Sequence, residues 1–190
     1  MTLAEVLLVV SLMSLLTIVV FKSIINGLKI WEVSRQMVVE EDIALSLEKI
    51  GQELRNTFYF SQISFEGKAE DLRFAAVVKV PADPYLGRGN EYVKQIGQVE
   101  YYFDPLKKSL YRRQANYGLA LKNKYFPERV VAEAIASVRF SYFYADEEGA
   151  LIETEKGDHF PAGVKVEVGF KDNRGRAKRL AKFVYLPLGT

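Results

Sequence analysis

The sequence predicts an α+β protein in which one long N-terminal helix precedes an antiparallel β-sheet head. Three features carry that expectation. Residues 3–21 form an almost unbroken apolar run, residues 22–58 repeat apolar side chains at three- and four-residue spacing without a proline, and the period falls to two from residue 59 onward.

The apolar run is the first element. Its only charge is Glu5, with Ser11, Ser14 and Thr17 as its other polar residues. A helix rises about 1.5 Å per residue, so about 20 such residues cover about 30 Å, the thickness of a bilayer's hydrocarbon core. Leu7, Leu8, Leu12, Leu15 and Leu16 are therefore expected to lie in lipid, in a transmembrane half-helix over residues 1–21. No Lys or Arg precedes the run and Lys22 follows it, the reverse of a cleavable signal peptide.

The second element is the stretch 22–58, where Ile24, Leu28, Trp31, Val39, Ile43, Leu47, Ile50, Leu54 and Phe58 mark one face. Lys29, Glu32, Glu40, Glu41, Glu48, Lys49, Gln52 and Arg55 mark the other. This reads as an amphipathic continuation of the same helix, expected to dock on the domain that follows.

That domain, residues 59–190, carries short alternating runs between turn signals. Strands are expected at 62–66, 72–80, 99–103, 109–114, 138–144, 151–154, 164–170 and 178–186, with hairpin turns at 104–108, 146–149 and 172–175. Val138, Phe140, Tyr142 and Tyr144 share one face of their strand and Arg139, Ser141, Phe143 and Ala145 the other, and one face is expected to pack on the helix. Residues 81–98, rich in Pro, Gly and charge, read as a long loop, and so does the aromatic and basic stretch 116–127.

Composition limits the chemistry. The 190-residue chain has a net charge of +2 and no cysteine, which removes disulfides, thiolate nucleophiles and cysteine zinc sites. The one histidine, His159, sits between Asp158 and Phe160 in an expected loop, and no Gly-x-Ser-x-Gly elbow accompanies it, so no catalytic residue is assigned. Asp146, Glu147, Glu148, Glu153 and Glu155 are of the type that binds a hard cation such as calcium, but they lack the alternating spacing of a calcium loop, and no metal or cofactor site is assigned. Lys107, Lys108, Arg112 and Arg113 lie beside Tyr101, Tyr102 and Tyr111, a mixture that can hold single strands of nucleic acid. Period-two strands place such charges on the wet side, so nucleic acid is not the expected partner.

Glu5 is the anomaly. An ionised carboxylate inside a membrane-length helix costs up to about 3 kcal/mol. If Met1 begins the chain, an α-amino cation lies close by, and a neighbour offset along a filament axis would bring its amine against this carboxylate. The alternative is that Glu5 stays hydrated among lipid headgroups.

Met1-Thr2-Leu3-Ala4-Glu5-Val6-Leu7-Leu8, followed at once by the apolar run, resembles the start of mature type IV pilins and type II secretion pseudopilins. The resemblance implies a pilin-like fold and no enzymatic activity. It further implies that prepilin peptidase cleaves before Met1, that Met1, Thr2 and Leu3 form the processing and N-methylation site, and that Glu5 pairs with the Met1 amine of a neighbour during assembly. Further along, Gln98-Val99-Glu100-Tyr101-Tyr102-Phe103, Leu110-Tyr111-Arg112-Arg113 and Phe160-Pro161-Ala162-Gly163-Val164-Lys165-Val166 are similar to minor pseudopilin J. That likeness implies a single-pass inner-membrane subunit with its head in the periplasm. It would join minor pseudopilins I and K at the tip of a pseudopilus that exports proteins. A minor pilin of a type IV pilus, serving adhesion, motility or DNA uptake, is the second expectation, and a signal-anchored periplasmic enzyme or binding domain is the third.

Overall fold

The computed structural model describes residues 2–81, 92–172 and 175–186, and within them the side chains of all but residues 32–38. A single helix, α1, runs Leu3–Arg55. The chain divides into two compact units, Met1–Glu41 and Asp42–Thr190.

In the second unit two antiparallel sheets follow the helix. One is a meander of β1 (Glu66–Gly67), β2 (Asp71–Pro81), β3 (Tyr92–Asp104), β4 (Ser109–Asn116) and β5 (Arg129–Ala132), its neighbours in sequence order. The other holds β6 (Ile135–Ala145), β7 (Leu151–Thr154), β8 (Gly163–Lys171) and β9 (Ala177–Tyr185), in the order β7-β6-β8-β9. The architecture is therefore α+β with antiparallel pairing throughout, as the change of period implies.

Several elements differ from expectation, each for a local reason. The helix stops at Arg55, before Phe58, and the stretch 62–66 is not a strand except for Glu66. Phe60 and Ile63 instead form an isolated bridge, and Phe58, Phe60 and Ile63 gather with Ala75, Ala115 and Ala120. An apolar cluster outweighs alternation there. The expected loop at 81–98 is half strand, because Tyr92 to Gln98 pair with β2 in register, Val80 opposite Val93 and Val77 opposite Ile96. Residues 82–91 of that loop lie outside the described residues, as do Asn173 and Arg174 of the expected third turn. Residues 117–120 of the other expected loop form a short helix, α2 (Tyr117–Ala120), whose N-cap Asn116 accepts from the Leu119 amide at 2.9 Å. β5 carries no alternation of its own and was not expected.

The amphipathic stripe docks over only part of its length. Ile43, Leu47, Ile50 and Leu54 are buried, whereas Ile24, Leu28 and Trp31 are exposed. Polar contacts fix the docking: Ser46 donates to the Val131 carbonyl at 2.7 Å, and Thr57, just past the helix, donates to the Ala75 carbonyl at 2.7 Å. Glu48 pairs with Lys182 of β9, and its carboxyl is held below the usual range chiefly by that hydrogen bond. Glu53 accepts from Tyr101 at 2.7 Å and from the Arg112 Nε at 2.9 Å.

The expected inner face of β6 is present, since Val138, Phe140 and Tyr142 are buried. The contacts recorded for Tyr142 run to the β1–β2 turn, whereas the helix meets the second sheet at β9, where Lys182 and Val184 lie against Gly51. The Tyr142 hydroxyl lies 2.9 Å from the Lys68 carbonyl and 3.1 Å from that of Asp71, and its ring meets Phe65 edge-on. Gly67 and Gly157 bridge across this ring, and a Cβ on Gly67 would sit 2.1 Å from the ring carbon that bears the hydroxyl. Only glycine admits Tyr142 there.

On the first sheet, Glu100 is buried between two arginines, at 2.8 Å from the Arg113 Nη2 and 3.5 Å from the Arg73 Nη2. Burial is the largest single influence and disfavours its charge, but the hydrogen bonds from Arg113 and Tyr125 and the charges of Arg113 and Arg73 together outweigh it and hold the carboxyl below its ordinary value of 4.5. Its stabilisation is complete at neutral pH and is lost as pH falls below 4.5 through the folded-state value.

Glu100→Gln is expected to cost about 2 to 4 kcal/mol by urea unfolding at pH 7, since it leaves Arg113 without its carboxylate and Arg73 with Glu66 alone. It should also flatten the loss of stability as pH falls below 4.5, whereas an unchanged acid slope there would show that Glu100 is not a titrating anchor. Gly67→Val is expected to lower the urea midpoint by more than a single core truncation such as Ile50→Ala, which costs about 2 to 5 kcal/mol.

Candidate functional site

Over residues 3–21 the helix of the first unit carries apolar side chains on every side, with Glu5, Ser11, Ser14 and Thr17 as its polar residues. From Leu3 to Trp31 its mean hydropathy reaches 2.6 and none of that segment is buried. The expected lipid-facing residues Leu7, Leu8, Leu12, Leu15 and Leu16 are all exposed, as is Leu3. Soluble helices confine apolar side chains to one stripe, so an all-round apolar helix needs lipid or other helices as its surroundings. The length and composition suffice for one membrane crossing.

The polar residues of this segment are satisfied within it. Ser11 donates to the Leu8 carbonyl at 2.9 Å, Ser14 to Val10 at 2.8 Å and Thr17 to Met13 at 2.8 Å. A hydroxyl bonded back onto its own helix enters an apolar medium at a fraction of its unpaired cost.

At the helix start, the Glu5 carboxylate accepts from the Thr2 backbone N–H at 2.8 Å, and the Thr2 hydroxyl lies 3.4 Å from the Glu5 amide nitrogen. Such reciprocal bonding is a capping box, and it places a negative charge at the positive end of the helix dipole. Its signal is in the sequence, Thr-x-x-Glu ahead of an apolar run. Reading Glu5 only as a partner for an amine passes over it. Met1, the other expected assembly residue, lies outside the described residues.

The head brings together some of the other residues singled out by sequence. Tyr102 and Tyr111 stack at 5.4 Å, with the Lys107 ammonium 5.0 Å from the Tyr111 ring and the Arg113 guanidinium 5.1 Å from Tyr102 and 4.1 Å from Tyr125. Burial and the hydrogen bond to Glu128 push the Tyr102 phenol up to about 12. These ring faces are thus occupied by the protein's own cations and by each other, which leaves little platform for nucleobases. His159 lies over Tyr144 at 4.1 Å and 3.8 Å from Asp158, both polar side chains being largely exposed. A cleft of about 250 Å³ beside it also includes Ser61 and Ser64, but the Ser64 hydroxyl donates to Glu66. Asp146 serves its own turn by accepting from the amides of Glu148 and Ala150, and among the described residues no group of three or more His, Asp or Glu side chains converges to hold a metal.

A larger groove, which sequence reading did not find, lies within the second unit between α1, the β2–β3 arm and β5. Its volume is about 700 Å³. The floor is a bonded chain: Tyr101 and Arg112 on Glu53, Arg112 on Gln114 at 2.9 Å, and Gln114 on the Lys79 carbonyl at 2.7 Å. Burial and the Glu53 charge push the Tyr101 phenol far up, and although burial also works against the Arg112 charge, the hydrogen bonds and charges of Glu53 and Tyr101 together outweigh it. The side chains come from five elements, α1, β2, β3, β4 and β5, so no local motif could have marked the groove.

No protein-family model matches the chain, and no curated protein matches its sequence. Among the described residues the apolar helix with its capped carboxylate is the most distinctive feature.

Thr2→Ala is expected to lower hydrogen-exchange protection at the Glu5 amide about fivefold in detergent micelles, because a lost cap costs about 1 kcal/mol. Protection equal to wild type would show that the cap does not hold the helix start.

Proposed function

We propose that the chain is a membrane-anchored filament subunit of the type IV pilin-like kind, and specifically a minor pseudopilin resembling J of a type II secretion system. The observation that carries this reading is the pattern Met1 to Glu5 running directly into an apolar helix that the chain leaves wholly uncovered. The helix waits in the inner membrane with the head in the periplasm, and on assembly exchanges lipid for the helices of neighbouring subunits. Minor pseudopilins I and K are the expected neighbours, and prepilin peptidase is the enzyme expected to act on the precursor. Function here is packing, with no bond made or broken by the subunit.

Lipid is as apolar as another helix, so apolar contact alone drives this exchange weakly. A directional term is needed, and Glu5 supplies it. Against a neighbour's α-amine at about 4 Å the attraction is roughly 4 kcal/mol at an effective dielectric of 20, before desolvation is subtracted. In the isolated subunit the carboxylate is already engaged by the Thr2 N–H. Assembly then adds a cation to an oriented acceptor rather than capturing a free side chain.

Two substitutions separate the charge from the cap. Glu5→Gln keeps a capping residue at that position but removes the charge, whereas Glu5→Leu removes both. Both variants are expected to insert and fold, and both are expected to lose filament incorporation and protein export by tenfold or more, measured by filament pull-down and by the exported fraction of a secreted protein. Normal incorporation of Glu5→Gln would sink the charge-pairing mechanism. Normal export by both would favour a simple tether.

A further inference from the structure

We infer that the groove between α1, the β2–β3 arm and β5 is a docking site for an extended, acidic segment of a partner polypeptide. The inference stands apart from the filament reading, since the groove residues fall between Lys49 and Val131, far from Glu5.

Its lining is strongly cationic. Lys49, Lys79, Arg112 and Arg129 face the cavity against the single carboxylate Glu53, which is already committed to Arg112. Lys49, Lys79 and Arg129 are exposed and have no ion-pair partner among the described residues. A second, independent feature points the same way. Lys79 on β2 stands directly opposite Lys94 on β3, so two like charges face each other across neighbouring strands of the arm. Such a pairing is repulsive and strands normally avoid it. An anion lying along the arm relieves it.

The walls favour a peptide over a small inorganic anion. Val77, Tyr92 and Val130 are 57%, 67% and 46% exposed along the groove, so apolar contact is interleaved with the cations. The volume falls within the range of about 300 to 1,000 Å³ that takes a ligand of several groups. Because Tyr101 and Arg112 both bond to Glu53, and Arg112 continues through Gln114 to the Lys79 carbonyl, the floor is preformed and binding orders little of the protein.

The test uses the full chain in non-ionic detergent and fluorescein-labelled hexaglutamate as the probe, read by anisotropy at low ionic strength. Saturable binding is expected, hexaglutamine should not bind, and Lys79→Glu with Arg129→Glu should weaken the affinity at least tenfold. The milder pair Lys79→Gln with Arg129→Gln should weaken it about threefold, with an unchanged circular dichroism spectrum. Lys122→Glu with Lys124→Glu, outside the groove, should change it less than twofold. Absence of saturable binding, or equal loss in groove and control variants, overturns the proposal. Tighter groove-dependent binding of a DNA oligonucleotide or of phosphatidylglycerol vesicles assigns the groove to phosphate ligands and also overturns it. So does self-association of the wild-type chain that Glu147→Lys with Glu148→Lys abolishes, since the occupant is then a second copy.

Discussion

One continuous ladder of backbone hydrogen bonds, the helix from Leu3 to Arg55, is the constraint on which the rest depends. A helix satisfies its own peptide groups, so the same element can pass from an apolar medium to an aqueous one without exposing unpaired donors and acceptors. What changes along it is only the side chains. They are almost wholly apolar up to Phe21, and from Ile43 to Leu54 they follow a stripe that the sheets bury.

Once the docked half of the helix is placed, the head is organised by a few polar anchors among many apolar contacts. Ser46, Glu48, Glu53 and Thr57 project from or just beyond the helix at successive turns, and each finds a partner on a different strand. Glu53 is the clearest case, because a buried tyrosine and a part-buried arginine converge on one carboxylate. Removing any one member leaves the others with charge or donors that water cannot reach freely. The same logic holds for Glu100 between Arg73 and Arg113 on the opposite face of the first sheet.

The capped Glu5 alters how a charge near a membrane-length helix end is understood. A capping box and the helix dipole offset part of the cost of the carboxylate, so a charge at this end of the helix has compensation within its own first turn. The hydroxyls of Ser11, Ser14 and Thr17 are likewise turned onto the helix, leaving its flanks uniformly apolar.

By itself the sequence determined the features that rest on local periodicity. The membrane-length helix, the docking stripe through Ile43, Leu47, Ile50 and Leu54, the hairpins at 104–108 and 146–149 and the strand alternation at Val138, Phe140 and Tyr142 could all be read from neighbours in the chain. So could the Thr2–Glu5 cap, had its spacing been weighed. Tertiary structure decided whatever depends on residues far apart. The strand identity of Tyr92 to Gln98 comes from β2, the non-strand path of residues 58–63 from a cluster with Ala75 and Ala115, and the cationic groove from five elements that meet only after folding. Hydrogen-bond partners and burial, unlike periodicity, are supplied by the rest of the fold, and no short stretch of sequence contains them.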